Sequence, residues 1–134
     1  MRYVLALAAI LGGCATVPAP APPAARTESF AVAGLMDGAS ADAAAGRLAN
    51  AAATLERALR IEPRNPRLWQ ELARVRLKQG DYAQAESVAA RSNTWAGDDS
   101  GLRAENWRLI AQAREARGDT AGARAALDTA ERQR

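Results

Sequence analysis

Apolar and small side chains recur at helical spacing in the stretch from Pro66 to Asn93. They form two stripes, one of Trp69, Leu72, Ala73 and Leu77 and one of Tyr82, Ala85, Val88, Ala89 and Ser92. Spacings of three and four residues place each stripe on one face of an α-helix. Gly80 and Asp81 lie between the stripes, where a glycine can end the first helix and an aspartate can cap the second. The stretch therefore predicts a helical hairpin.

The same pattern occurs three times along the chain. Residues align at offsets of 34 and then 38 in four sets: Gly46, Gly80 and Gly118; Ala51, Ala85 and Ala123; Leu55, Ala89 and Leu127; Ala58, Ser92 and Ala130. Trp69 and Trp107 share the second offset. A period of 34 residues, with Trp, Leu and Ala in the first helix and Gly-Asp at the turn, resembles the tetratricopeptide repeat. The resemblance covers residues 32–134 and implies an all-α solenoid of helical hairpins.

The resemblance implies about two and a half to three repeats, over residues 32–65, 66–99 and 104–134. The first half of the first repeat departs from the family pattern. Gly34 and Gly38 each cost about 1 kcal/mol in a helix interior, and no Trp or Tyr occupies the usual anchor positions. We therefore expect a short or frayed first helix, beginning near Ser40.

Turn residues predict where the later helices begin. Asn65 followed by Pro66 is typical of a helix start, with an N-cap and a proline at the first helical position. Residues 98–100, Asp-Asp-Ser, can cap the next helix. They belong to a four-residue insertion that also places Trp95 just beyond the second hairpin. Trp95 can pack over that hairpin or contact a partner, and packing is the expected role.

The first fourteen residues resemble a bacterial lipoprotein signal. An arginine precedes an apolar run over residues 3–11, which is too short to span a bilayer. Leu11-Gly12-Gly13-Cys14 resembles a lipobox, which implies cleavage after residue 13 and lipidation of Cys14. The alternative is an ordinary cleaved signal with an incidental cysteine. An acidic residue directly after the lipidated cysteine would resemble an inner-membrane retention signal, but that position is Ala15. The expected location is therefore the periplasmic leaflet of the outer membrane.

Residues 14–31 are expected to form a tether. Four of the six prolines lie here among alanines, and no apolar periodicity is present. Such a sequence favours polyproline II, which extends by about 3.1 Å per residue. The tether would hold a folded domain roughly 30–40 Å from the membrane.

Composition argues against catalysis and against nucleic-acid binding. The chain has no histidine, which is the commonest general base and metal ligand, and Cys14 is its only cysteine. We therefore expect no enzyme, no metal and no cofactor. A formal net charge of +3 is too small to predict a nucleic-acid partner. Because alanine dominates the apolar content, stability is expected to depend on five larger side chains: Trp69, Trp107, Leu72, Leu109 and Leu127.

Function must then come from a binding surface. In tetratricopeptide repeats the first helix of each hairpin lines a groove, and the resemblance carries nine positions of this chain onto it. These are Arg67, Gln70, Arg74, Leu77 and Lys78 in the second repeat, and Glu105, Arg108, Gln112 and Glu115 in the third. Such a groove is polar and net basic, and it suits an extended or helical segment that carries carboxylates.

A narrower resemblance suggests the partner. The strings RLW, GDYAQAE and NWRLIA are similar to small repeat lipoproteins of gammaproteobacteria, among them the LpoP-type activators of bifunctional penicillin-binding proteins. This resemblance implies an accessory factor of peptidoglycan synthesis. The alternative is a scaffold for another envelope complex, such as a secretion or pilus assembly. The sequence leaves open the oligomeric state and whether the groove or the convex face binds the partner.

Overall fold

The computed structural model describes residues 24–133, with side chains from residue 30 onward, and it contains six α-helices there. They are α1 (Ala24–Ala44), α2 (Leu48–Ile61), α3 (Pro66–Lys78), α4 (Tyr82–Trp95), α5 (Ser100–Ala116) and α6 (Thr120–Glu131). None of these helices is long and apolar enough to cross a membrane. The signal sequence, Cys14 and the start of the tether lie outside the described residues.

The helices form three consecutive hairpins. Helix α1 packs on α2, α3 on α4 and α5 on α6, and the hairpins stack through α2 against α3 and α4 against α5. Helix α3 also contacts α5, so the first helices of the second and third hairpins lie side by side. The expected all-α solenoid is confirmed.

Two apolar clusters form the core. The first joins α1, α2 and α3, and the second joins α3, α4, α5 and α6. Many of the buried side chains are alanines, which lets neighbouring helices approach closely. Leu72 and Leu109 are buried as expected, and Trp69 and Trp107 pack against the clusters. The expectation for Leu127 was wrong, because this side chain is 48% exposed on α6.

The expectation of a short first helix was also wrong. Helix α1 has 21 residues and begins at Ala24, within the segment assigned to the tether. Its buried and half-buried apolar positions recur at helical spacing: Val32, Leu35, Met36, Ala39 and Ala43. Gly34 and Gly38 lie on the exposed face of the helix, where the absence of a side chain removes no core contact. Packing against α2 therefore outweighs the low helix propensity of glycine.

The predicted helix starts are mostly confirmed. The Asn65 side chain accepts a hydrogen bond from the Arg67 amide, with Pro66 at the first helical position, and Asp99 accepts one from the Leu102 amide. The predicted cap at Asp81 was wrong. Its side chain makes no capping hydrogen bond, and a carboxylate oxygen lies 3.8 Å from the Arg76 guanidinium.

Two glycine-to-alanine substitutions should change stability in opposite directions. Gly80 has a φ of +81°, so Gly80→Ala should lower the free energy of unfolding by about 1–2 kcal/mol through backbone strain alone. Gly34 lies inside α1 with open space around an added Cβ, so Gly34→Ala should raise it by about 0.5–1 kcal/mol. Urea denaturation of both variants measures the changes. An equal effect of the two substitutions would contradict this assignment.

Candidate functional site

A cleft separates α1 from α3 on the face that the first helices of the hairpins share. We call the surface formed by α1, α3 and α5 the groove face. The cleft has a volume of about 420 Å³. Its lining combines apolar side chains with a polar rim, and its members include Met36, Ala39, Ala43, Leu55 and Val75 on the apolar side and Asp37, Ser40, Glu71, Arg74 and Lys78 on the polar side. The groove face therefore offers a recess for an apolar side chain next to charged groups.

A chain of ion pairs connects α3 to α5 beside this cleft. Arg74 lies between two carboxylates, with Nη1 2.8 Å from Glu71 Oε1 and Nη2 3.4 Å from Glu105 Oε1. Glu105 Oε2 in turn lies 3.1 Å from Arg108 Nη1. All four side chains are about one-third exposed, so solvent and a partner can reach them. The two glutamates balance the two arginines, and this part of the groove face is less basic than expected.

The structure brings the other predicted groove residues together only in part. Arg67 is exposed and lies 3.5 Å from an Asp99 carboxylate oxygen. Lys78 is exposed at the rim of the cleft, whereas Leu77 packs against the second core cluster. Gln112 and Glu115 are exposed on α5.

Gln70 is not available at the surface. Its side chain is buried, and Nε2 donates to Asn106 Oδ1 at 2.9 Å. Asn106 is fully buried and donates from Nδ2 to Ser92 Oγ at 2.8 Å and to Asn93 Oδ1 at 2.9 Å. Ser92 Oγ donates to the Pro66 carbonyl at 2.7 Å. Gln70 thus belongs to a polar network between α3, α4 and α5 that fixes how the second and third hairpins stack.

The α1 wall of the cleft is the part of the site that sequence reasoning missed. Met36, Asp37 and Ser40 line it, and none was assigned to the groove. The spacing of apolar residues in α1 was the available signal. It was outweighed by the two glycines.

A second surface lies where α2 and α4 end and α3 begins. Trp69 Nε1 donates to the Pro63 carbonyl at 2.8 Å, and the Arg91 guanidinium lies 5.1 Å from the centre of a Trp69 ring. The Arg64 guanidinium lies 5.3 Å from the centre of a Trp95 ring. We call these five residues the Trp–Arg face. Trp95 is the last residue of α4 and is 40% exposed, so it packs against Arg64 while one part of it remains accessible.

Seven acidic residues of the described domain take part in ion pairs: Asp42, Glu56, Glu71, Asp81, Glu86, Asp99 and Glu105. Glu86, for example, has Oε1 2.6 Å from Arg114 Nη2 and Oε2 3.1 Å from Arg117 Nη1. No group of three or more His, Cys, Asp or Glu side chains within the described part of the chain is arranged to hold a metal ion.

Comparisons with known proteins agree with this geometry. A family model described as tetratricopeptide repeat matches residues 42–104. The solved structure of the globular C-terminal domain of P. aeruginosa LpoP is similar, with 48% sequence identity and a TM-score of 0.74. That similarity covers 75% of this chain and 95% of the LpoP domain. Comparison with curated proteins gave no match.

The identity and coverage establish the family, and the repeat fold indicates a protein-interaction module. Its binding capacity lies in the helix surfaces described above. The chain therefore belongs to the tetratricopeptide repeat family, as an LpoP-like protein.

Proposed function

We propose that this chain is a lipid-anchored periplasmic activator of a bifunctional penicillin-binding protein. The 48% identity to the LpoP domain supports this role, because the sequence resembles the LpoP-type activators in its repeat strings as well. The lipobox-like sequence that ends at Cys14 supports anchoring at the outer membrane. Acyl chains on Cys14 bind the membrane with about 0.8 kcal/mol for each buried CH₂. The tether then carries the helical domain toward the partner.

The groove face is the proposed binding site for the synthase. The observation that carries this assignment is the ion-pair chain of Glu71, Arg74, Glu105 and Arg108 beside an apolar cleft. A guanidinium has five N–H donors, and the glutamates occupy only some of them, so a partner carboxylate can bind to the same arginines. An apolar side chain of the partner can enter the cleft. Together these contacts fit an amphipathic or extended segment.

Activation follows from preferential binding. A protein that binds the active conformation of its partner more tightly shifts the population toward that conformation. A preference of about 1–2 kcal/mol changes the ratio of the two conformations roughly five- to thirty-fold. No chemical step by this chain is needed.

Charge reversal on the groove face tests this proposal. The double substitution Arg74→Glu/Arg108→Glu places four carboxylates where two pairs existed, and it should reduce stimulation of glycan polymerisation by the purified synthase at least tenfold. The matched control Arg124→Glu/Arg132→Glu makes the same charge change on exposed residues of α6 and its C-terminal end. Circular dichroism melting checks that both variants fold.

The outcomes separate the two candidate roles. Stimulation that is lost in the groove variant and kept in the control supports an activator that uses the groove face. Wild-type stimulation by the folded groove variant would exclude this site. If the wild-type chain binds the synthase but does not stimulate it, the chain is instead a scaffold that positions envelope proteins.

A further inference from the structure

The Trp–Arg face has binding groups that the domain itself does not use. Within residues 30–133, no carboxylate oxygen lies within 4.0 Å of a side-chain nitrogen of Arg60, Arg64 or Arg91. This differs from the groove face, where Arg74 and Arg108 are both paired. Stacking on a tryptophan occupies the flat face of a guanidinium and leaves its N–H donors at the edge. Arg64 and Arg91 are therefore oriented cations with unused donors.

An apolar cleft adjoins these arginines. It has a volume of about 460 Å³ and lies between α2, α3 and α4. Its apolar lining comes from Leu59, Pro63, Trp69, Leu72 and Val88. Its polar lining comes from Arg60, Gln84 and the paired side chains of Glu56 and Arg76. A space of this size accommodates one large aliphatic or aromatic side chain. Trp69 joins the two features, because one ring contacts the cleft and also stacks with Arg91.

We infer that the Trp–Arg face is a docking surface for an acidic segment of a protein partner. Carboxylates of the segment pair with Arg64 and Arg91, and an apolar side chain of the segment fills the adjoining cleft. Trp and Arg are among the residue types that most often supply binding energy at protein interfaces. This surface is separate from the groove face, so it goes beyond the proposed function and does not depend on it.

Charge complementarity favours an acidic peptide over other occupants. The Ala/Pro-rich stretch of this chain over residues 15–25 carries no charge and would leave the arginines unpaired. A lipid surface would use the arginines and the exposed part of Trp95. It would not fill a recessed cleft floored by Leu72 and Val88. The combination of unpaired cations with an apolar recess fits a peptide that carries both features.

A peptide-binding measurement tests the inference. The probe is a fluorescein-labelled peptide of glutamate and aspartate with one central leucine, and the protein is the chain with Cys14→Ser, which prevents lipidation. Fluorescence anisotropy should show saturable binding that weakens at least tenfold in Arg64→Glu/Arg91→Glu. The matched charge-reversal control Arg124→Glu/Arg132→Glu, on exposed residues of α6 and its C-terminal end, should bind as the wild type does. Replacement of the central leucine by serine should also weaken binding, by roughly three- to tenfold.

Several results would overturn the inference. The wild type could fail to bind the peptide, or Arg64→Glu/Arg91→Glu could bind it unchanged. If Arg64→Glu/Arg91→Glu unfolds, Arg64→Gln/Arg91→Gln replaces it, with the same tenfold criterion and a melting curve as the check on folding. Sedimentation with phosphatidylglycerol vesicles is the second arm. Vesicle binding that needs both arginines, without peptide binding, would assign the surface to anionic lipid instead.

Discussion

Asn106→Ala is expected to lower the free energy of unfolding by about 3 kcal/mol. The Asn106 side chain is fully buried and makes hydrogen bonds to Gln70, Ser92 and Asn93. Its removal takes away the acceptor for Gln70 Nε2 and the donor for Ser92 Oγ and Asn93 Oδ1, and a buried polar group left unsatisfied costs about 1–3 kcal/mol. Ser92 Oγ keeps its hydrogen bond to the Pro66 carbonyl, and Asn93 is only half-buried, so the largest penalty falls on Gln70. Because Gln70 Nε2 retains a long contact of 3.4 Å to the Leu102 carbonyl, the total stays below the sum of three full penalties.

The repeat register supplies a control for this network. Asn106 is equivalent to Leu68, and Ser92 is equivalent to Ala58, and both Leu68 and Ala58 are fully buried in the first cluster. The double variant Ser92→Ala/Asn106→Leu therefore imitates the apolar arrangement of the first interface. Urea denaturation should show that this double variant loses less free energy of unfolding than the single variants Ser92→Ala and Asn106→Leu lose in sum. The difference should be about 1 kcal/mol or more. A stability of Asn106→Ala within about 0.5 kcal/mol of wild type would contradict the role given to the network.

Leu68→Ala should destabilise the domain by about 3–4 kcal/mol, whereas Leu127→Ala should change stability by less than about 1 kcal/mol. Leu68 is fully buried where α1, α2 and α3 meet, so its truncation leaves a cavity in the first cluster. Leu127 is 48% exposed on α6, and alanine is the better helix former. The comparison uses the same substitution at two leucines of one chain.

Thermal and urea unfolding of both leucine variants measures this difference. Similar losses at Leu68 and Leu127 would show that the third hairpin packs more tightly around Leu127 than the structure indicates. They would also restore the expectation from the sequence that Leu127 is one of the few larger side chains on which stability depends.

Much of the fold was predictable because local and repeated signals agreed. The second and third hairpins show apolar stripes, turn glycines and tryptophans in one register, and their helices lie where that register places them. Helix α1 was not predictable in the same way. Gly34 and Gly38 lower its helix propensity, and only packing against α2 and α3 shows that both glycines face solvent.

The site was less predictable because side-chain partners are distant in sequence. The resemblance placed Gln70 and Arg74 on one surface, but Gln70 turns inward to Asn106, 36 residues away. Arg74 is paired with Glu71 on its own helix and with Glu105 on α5, and no local pattern on α3 reveals the second pair. The Trp–Arg face was missed for the same reason. Arg64 and Trp95 come from different hairpins, and only the fold brings them within 5.3 Å.

The most direct test of the central claim is a binding titration against the purified bifunctional penicillin-binding protein of the same organism. Wild type should bind with 1:1 stoichiometry, and Arg74→Glu/Arg108→Glu should raise the Kd at least tenfold. That increase corresponds to about 1.4 kcal/mol of binding free energy. The α6 control Arg124→Glu/Arg132→Glu should leave the Kd unchanged. Absence of binding by the wild type, or an equal Kd for wild type and the folded groove variant, would contradict the account.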